Sequence, residues 1–300
     1  MRAFILVLIV AGVLVMISNI YRYVRFMKSS KDVLSSGRRA DNAWENIGLV
    51  LLIFFLAGYA GIAFFGKADL LMAFILFGGS IFVAIVLTFM FRLIDTVKKR
   101  SIDVAEVLIG VIEARDPNLN GHSRYVQNLT MKFFDYIPGD MTKGISRVSL
   151  EYAALLHDVG KLGVPESVLG KTSKLDENDW NQIRQHPKIG VEILKPLKSF
   201  AHILPWIEYH HERIDGKGYY GLKGEEIPFA SKIIAVCDTY SAITMKRAYK
   251  PAKTYEEAVS IIKEVAGTQL DEGLVSIFCT IPKKELENCV PVQMGVETIL

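Results

Sequence analysis

Three hundred residues, 51% of them hydrophobic and 22% charged, make a chain too apolar to be soluble throughout, so part of it belongs in lipid. A net charge of +3 at pH 7 excludes the dense basic face that a nucleic-acid polymer would need. Three cysteines, Cys237, Cys279 and Cys289, without metal-finger spacing read as reduced cytosolic thiols and exclude a disulfide framework.

In chain order, the first elements are three charge-free stretches, at about residues 3–21, 47–66 and 70–91. Each is close to the ~20 residues a helix needs to cross a bilayer, and together they predict a membrane region over residues 1–92. The first reads as an anchor, because its apolar run is long for a cleaved signal and Ser18-Asn19-Ile20 is a poor cleavage site. Arg22, Arg25, Lys28, Lys31, Arg38 and Arg39 lie in the loop 22–46, and Arg92, Lys98, Lys99 and Arg100 follow the third stretch. Basic residues stay on the cytoplasmic side, which puts that loop and everything after Arg92 in the cytoplasm, on a multi-pass inner-membrane protein. Residues 93–114 continue with apolar positions at helical spacing. They read as a connecting helix paired in a homodimer, or equally as the first core helix of the next domain.

The polar half shows helical periods at Val148–Leu156, Trp180–Gln185, Ile189–Leu194, Ile227–Ile243 and Tyr255–Ala266 and no long alternating run, so the fold class is all-α. Asp176 and Asp179 before Trp180, then Pro187 and Pro228, mark helix starts. A C-terminal tail is expected over residues 281–300.

Five of the six histidines stand here beside acids or glycines: His122 after Gly121, His157 before Asp158, His186 before Pro187, and the pair His210-His211 before Glu212. The sixth, His202, lies in an apolar stretch and reads as a core or surface residue. His157 and Asp158 at a helix end can supply one imidazole nitrogen and one bridging carboxylate, a mixture that suits iron, manganese, zinc or nickel. A His-rich, thiolate-free set argues against a closed structural zinc site. Asp238, inside an apolar helix, must be coordinated or paired, for instance to an arginine. The glycines of Asp215-Gly216-Lys217-Gly218-Tyr219-Tyr220-Gly221 allow a tight loop after the paired histidines.

Taken in order, these segments resemble the HD-GYP subgroup of the HD metal-dependent phosphohydrolases over residues 107–280. The matching stretches are Arg115-Asp116-Pro117 with Gly121-His122-Ser123, His157-Asp158 through Pro165, His186-Pro187, His210-His211-Glu212 with Gly218-Tyr219, Asp238, Arg247 with Lys250, and Gly267-Thr268-Gln269. The resemblance implies a membrane-anchored phosphodiesterase acting on a cyclic dinucleotide, chiefly cyclic di-GMP, with a diguanylate cyclase-type protein as a partner. It implies two divalent cations, the first on His122, His157, Asp158 and Asp238, the second on His186, His210 and His211, with Asp158 bridging. Cations about 3.5 to 4 Å apart share a hydroxide that is nucleophilic at neutral pH. His157, Asp158 and Lys161 become the catalytic set, and Asp116, Lys161, Gly218, Tyr219, Arg247 and Lys250 the substrate contacts.

Three positions depart from the family pattern. Tyr220 replaces the motif's proline, Ser241 replaces an aspartate one turn after Asp238, and Asn118 stands where some members carry a third-metal glutamate. The other readings are a degenerate module that binds nucleotide or a partner protein without turnover, and an HD-type hydrolase of a different nucleotide.

Overall fold

The computed structural model describes residues 2–34, 39–65, 69–115, 121–171, 173–245 and 251–291. Helices dominate and no strand occurs among the described residues. The chain divides into two units, Met1–Ile102 and Asp103–Leu300.

The first unit contains α1 (Arg2–Leu34), α2 (Arg39–Phe65) and the larger part of α3 (Leu70–Arg115). Met16, Leu52 and Tyr59 form its small interior. Asn19 Nδ2 donates to Ser80 O at 3.1 Å and the Tyr59 hydroxyl to Leu76 O at 2.6 Å, so polar groups inside the unit find partners within it. Its outer surface is apolar, with Phe4, Leu6, Phe54, Phe74, Phe82 and Phe89 all exposed. Ala3–Met27 and Leu70–Ile94 are long and apolar enough to cross a membrane. Of the expected span at 47–66 the described residues give a shorter apolar stretch, Ile47–Ile62, so two stretches and not three reach the usual spanning length among the described residues.

The second unit is built around a core that includes Phe133, Phe278, Leu129, Leu150, Leu156, Leu194, Ile203 and Ile233. The last turns of α3 enter it through Ala105, Ile109 and Ile112, one face at helical spacing, while Val104, Val107 and Val111 on another face stay exposed. There follow α4 (His122–Phe134), α5 (Arg147–Leu156), α6 (Glu166–Leu169), α7 (Glu177–Ile183), α8 (His186–Leu194), α9 (Leu204–Glu208), α10 (Phe229–Thr244), α11 (Tyr255–Glu264), α12 (Glu272–Phe278) and α13 (Lys283–Glu287).

The starts follow local chemistry. Ser146 caps α5, Asp176 and Asp179 form a reciprocal capping box at α7, Pro187 sits in the first turn of α8, and Pro228 precedes α10. The stretch after 280 is not a tail as far as Cys289. Ile281, Leu286 and Cys289 are buried, and Glu285 pairs with Lys132 at 2.9 Å, so burial and this ion pair tie α13 to α4. All three cysteines are free, with Cys237 and Cys289 buried. His202 Nε2 lies 2.7 Å from the Ser149 hydroxyl, a local structural contact.

Candidate metal centre

Every described histidine singled out beside an acid or glycine sits at a helix end. His122 is the first residue of α4, after Gly121 at φ +74°, whose N–H donates to Glu113 Oε1. His157 caps the C-terminus of α5, and Asp158 leads into a 3-10 turn over Val159–Gly163. His186 opens α8, His210 and His211 follow α9, and Asp238 lies within α10. Packing of α4 on α5 and α10, and of α8 on α9 and the 3-10 turn, brings these ends to one place.

Backbone carbonyls aim three of the rings. His157 Nδ1 lies 2.8 Å from Ala154 O, His186 Nδ1 2.8 Å from Ile183 O, and His210 Nδ1 2.6 Å from Ile207 O. A carbonyl can only accept, so each Nδ1 carries its proton, and each Nε2 turns inward with a lone pair when the ring is neutral.

What those nitrogens face is again acceptors. His186 Nε2 is 3.2 Å from Asp158 Oδ1 and 3.4 Å from His210 Nε2. His157 Nε2 is 3.3 Å from Asp158 Oδ2, and His122 Nε2 is 3.2 Å from Asp238 Oδ1 and 3.7 Å from Asp158 Oδ2. The donor atoms of Asp158, His186, His210 and His211 lie within 4.8 Å of one another, as do those of His122, His157 and Asp158. His157 Nε2 and Asp158 Oδ1 are buried without a hydrogen-bond partner. Lone pairs gathered in this way call for a cation among them, and the nitrogen and oxygen donors fit a divalent transition metal.

Protons do not fill that role throughout. Burial lowers the pKa of His122, His210 and His211, the last to about 3, so these imidazoles stay neutral and able to ligate. At His157 burial works in the same direction, but Asp158 and Asp238 outweigh it and raise the pKa. Burial pushes the Asp158 carboxyl up, yet Lys161, His157 and His186 hold it well below the usual carboxylate range. Asp238 is depressed by His122 in the same way, against its burial. Both carboxylates are therefore ionised at neutral pH.

Lys161 Nζ sits 2.8 Å from Asp158 Oδ2. The Tyr219 ring lies 4.7 Å from that of His211 and 6.4 Å from that of His186. Burial and the two carboxylates push its hydroxyl to about 12, so it remains a protonated donor. Gly218 has no space for a side chain, since a Cβ would come within 2.6 Å of Glu212 Cα. Asp116, Arg247 and Lys250 lie outside the described residues, as does Asn118. Tyr220 points outward, its ring edge-on to Tyr209 at 5.5 Å.

Two contributions escape the sequence pattern. Buried Glu212 accepts from Tyr220 N at 2.7 Å and Leu222 N at 2.6 Å, which pins the loop that carries Tyr219. The Ser241 hydroxyl lies 2.9 Å from His122 Nδ1, so the departure from aspartate leaves a polar contact to a candidate ligand. The contact of a helix-end histidine to the carbonyl three residues back is local, whereas the Glu212 and Ser241 contacts join positions at least eight apart.

A sequence model described as "HD domain" matches residues 106–274, more than half of the chain. The chain is 35% identical over 183 residues to 3'3'-cGAMP-specific phosphodiesterase 3 of Vibrio cholerae, covering 60% of this chain and 38% of that protein. It is 34% identical over 200 residues to a cyclic di-GMP phosphodiesterase of the same organism, covering 62% and 41%. Thus it spans about two fifths of the length of each. Among solved structures, the HD domain of the L. monocytogenes phosphodiesterase PgpH in complex with cyclic-di-AMP aligns at TM-score 0.41 and 23% identity, over 61% of this chain and 91% of that one.

Proposed function

The chain belongs to the HD domain family, in the branch that carries HD-GYP motifs, and from that premise we propose a membrane-anchored, metal-dependent phosphodiesterase that opens a cyclic dinucleotide, chiefly cyclic di-GMP. The observation that carries the proposal is Asp158, with one carboxylate oxygen toward His186 and the other toward His157 and His122. Such a carboxylate suits two cations, one on His122, His157, Asp158 and Asp238 and one on Asp158, His186, His210 and His211. Iron and manganese fit this donor set, as do zinc and nickel. Bound there, they would supply Lewis acidity that makes water nucleophilic at neutral pH and offsets phosphoryl charge.

The protein's own groups do the rest. Asp158 and Asp238 hold negative charge where cations are needed. Lys161 brings a cationic head beside Asp158, placed to offset charge on phosphoryl oxygens; Arg247 and Lys250 extend that role, with Asp116 as a further contact. Gly218 lets the loop close on Glu212, and this presents Tyr219 as a donor and an aromatic wall over His211.

Mostly exposed apolar surfaces on Ala3–Met27 and Leu70–Ile94 support membrane anchoring, since a soluble core helix would bury them. Basic residues follow both stretches. For both sets to lie in the cytoplasm, α2 has to return the chain across the bilayer, despite its shorter apolar stretch. A homodimer would cover exposed Val104, Val107 and Val111, and a diguanylate cyclase-type partner would supply the nucleotide.

The test uses the full chain in detergent with Mn²⁺ or Fe²⁺, cyclic di-GMP and 3'3'-cGAMP, with products separated by chromatography. A linear dinucleotide or mononucleotides are expected, and none from Asp158→Ala. Tight binding of either nucleotide without product would make the protein a binding module. Turnover of another nucleotide alone would reassign the substrate.

A further inference from the structure

We propose that Ser241 is a positioning residue for His122: its hydroxyl sets the tautomer of that ring, and with it the cation affinity of the position formed by His122, His157, Asp158 and Asp238. This rests on the reading that the cluster holds two cations.

His157, His186 and His210 are aimed by carbonyls of their own chain segment, three residues back. His122, the first residue of α4, differs in its partner, which comes from a distant segment. Its Nδ1 meets the Ser241 hydroxyl at 2.9 Å instead, with both residues buried away from competing water. Ser241 lies three residues after Asp238 on α10, one turn along the same face, so one helix presents both a ligand and the group that aims another ligand.

Proton direction follows from the next contact. The Ser241 hydroxyl donates to Met245 Sδ at 3.3 Å, which leaves its lone pairs for His122. The ring then carries its proton on Nδ1, and Nε2 presents a lone pair 3.2 Å from Asp238 Oδ1. A hydroxyl differs from a carbonyl in that it can also turn and donate. Turned toward His122, it would force the proton onto Nε2 and remove that nitrogen as a ligand. The thioether is a weak acceptor, so it holds the hydroxyl less firmly than a carbonyl holds an N–H. The position at His122 is therefore the softer of the two. An aspartate at 241 could only accept when ionised, and it would lock the ligating tautomer and raise the basicity of Nε2.

The test is a titration of the metal-freed full chain in detergent with Zn²⁺ and with Mn²⁺ against a competing chelator, which resolves two affinities. In wild type two classes of site are expected. Ser241→Ala is expected to weaken one class by about ten- to a hundredfold, the range for partners of ligating histidines, and to leave the other unchanged. Ser241→Thr, which keeps the hydroxyl, should restore the first class, and Ser241→Asp should bind it more tightly than wild type. A merely structural role would weaken both classes together. If Ser241→Ala does not fold, the aspartate and threonine variants decide, and an aspartate variant no tighter than wild type overturns the proposal. Two wild-type classes left unaltered in every variant overturn it alone, whereas a wild-type chain that takes up no cation removes the two-cation reading as well.

Discussion

Gly160 lies against the backbone of His186 with no room for a side chain: a Cβ at Gly160 would overlap the His186 carbonyl oxygen and crowd Gly190 N. This contact sets the 3-10 turn after Asp158 onto the start of α8 and so fixes the 3.2 Å approach of His186 Nε2 to Asp158 Oδ1. Gly160→Ala must push the two segments apart. The expected cost is at least the ~1–3 kcal/mol typical of overpacking, seen as a lower melting temperature. Metal content should fall toward one equivalent, because only the group that includes His186 loses its geometry. A variant with wild-type melting and metal content would show that the contact has slack.

Glu212 offers a separate handle on the loop. Its carboxylate accepts from the N–H groups of Tyr220 and Leu222, and Glu212→Ala leaves both without that partner, at about 1–3 kcal/mol for each that stays buried. The loop carrying Tyr219 should loosen while the histidine cluster stays in place. The expected kinetic mark is a raised KM for the cyclic dinucleotide with metal content unchanged. Loss of metal in this variant would tie Glu212 to the cluster itself.

Asp215 gives a pH signature away from the metal ligands. Arg213 donates to both its oxygens, at 3.0 and 2.7 Å, and this pair holds the carboxyl at about 2 against an ordinary 3.8. Between those values the unfolded chain binds the proton and the folded one does not. The stabilisation is thus complete above about pH 4 and fades as pH falls toward 2. Thermal melts of wild type and Asp215→Asn should differ near neutral pH and converge in acid. A gap that stays constant through that range would mean the pair does not shift the carboxyl.

Chelation should destabilise the second unit more than any surface substitution. Removing cations leaves the inward lone pairs of His157, His186 and His210 facing Asp158 and one another. A cation present at a hundred times its dissociation constant stabilises by about 2.7 kcal/mol, so a melting temperature that drops with chelator and recovers on re-addition of Mn²⁺ is expected. Identical melts in chelator and in metal would count against a resident cation.

Much of this arrangement was legible because ligands at helix ends leave marks in sequence. Gly121 before His122, Pro187 after His186 and the glycine-rich run after His211 flag places where a helix starts or stops. The all-helical class followed from periodicity, but α7 begins at Glu177, three residues before the expected Trp180, because Asp176 is its cap and Asp179 lies in its first turn. Contacts between distant segments were not legible. Ser241 and His122 are 119 positions apart, so replacement of an aspartate read only as a lost carboxylate. A count of uncharged residues likewise gives three stretches of similar length, whereas among the described residues two apolar stretches are long enough to span and the one within α2 is shorter. The tail after residue 280 was misread because Ile281, Leu286 and Cys289 are too sparse to announce a buried face.

Three of the rings take their bearing from a residue three places earlier in their own segment. Each is aimed before its segment meets the others, in the way a bracket is drilled before it is mounted. Connections such as the one between α6 and α7 can therefore grow or shrink over evolutionary time without turning a ring, provided the segment ends still meet. His122 lacks that independence, and variation tolerated elsewhere would first be felt there.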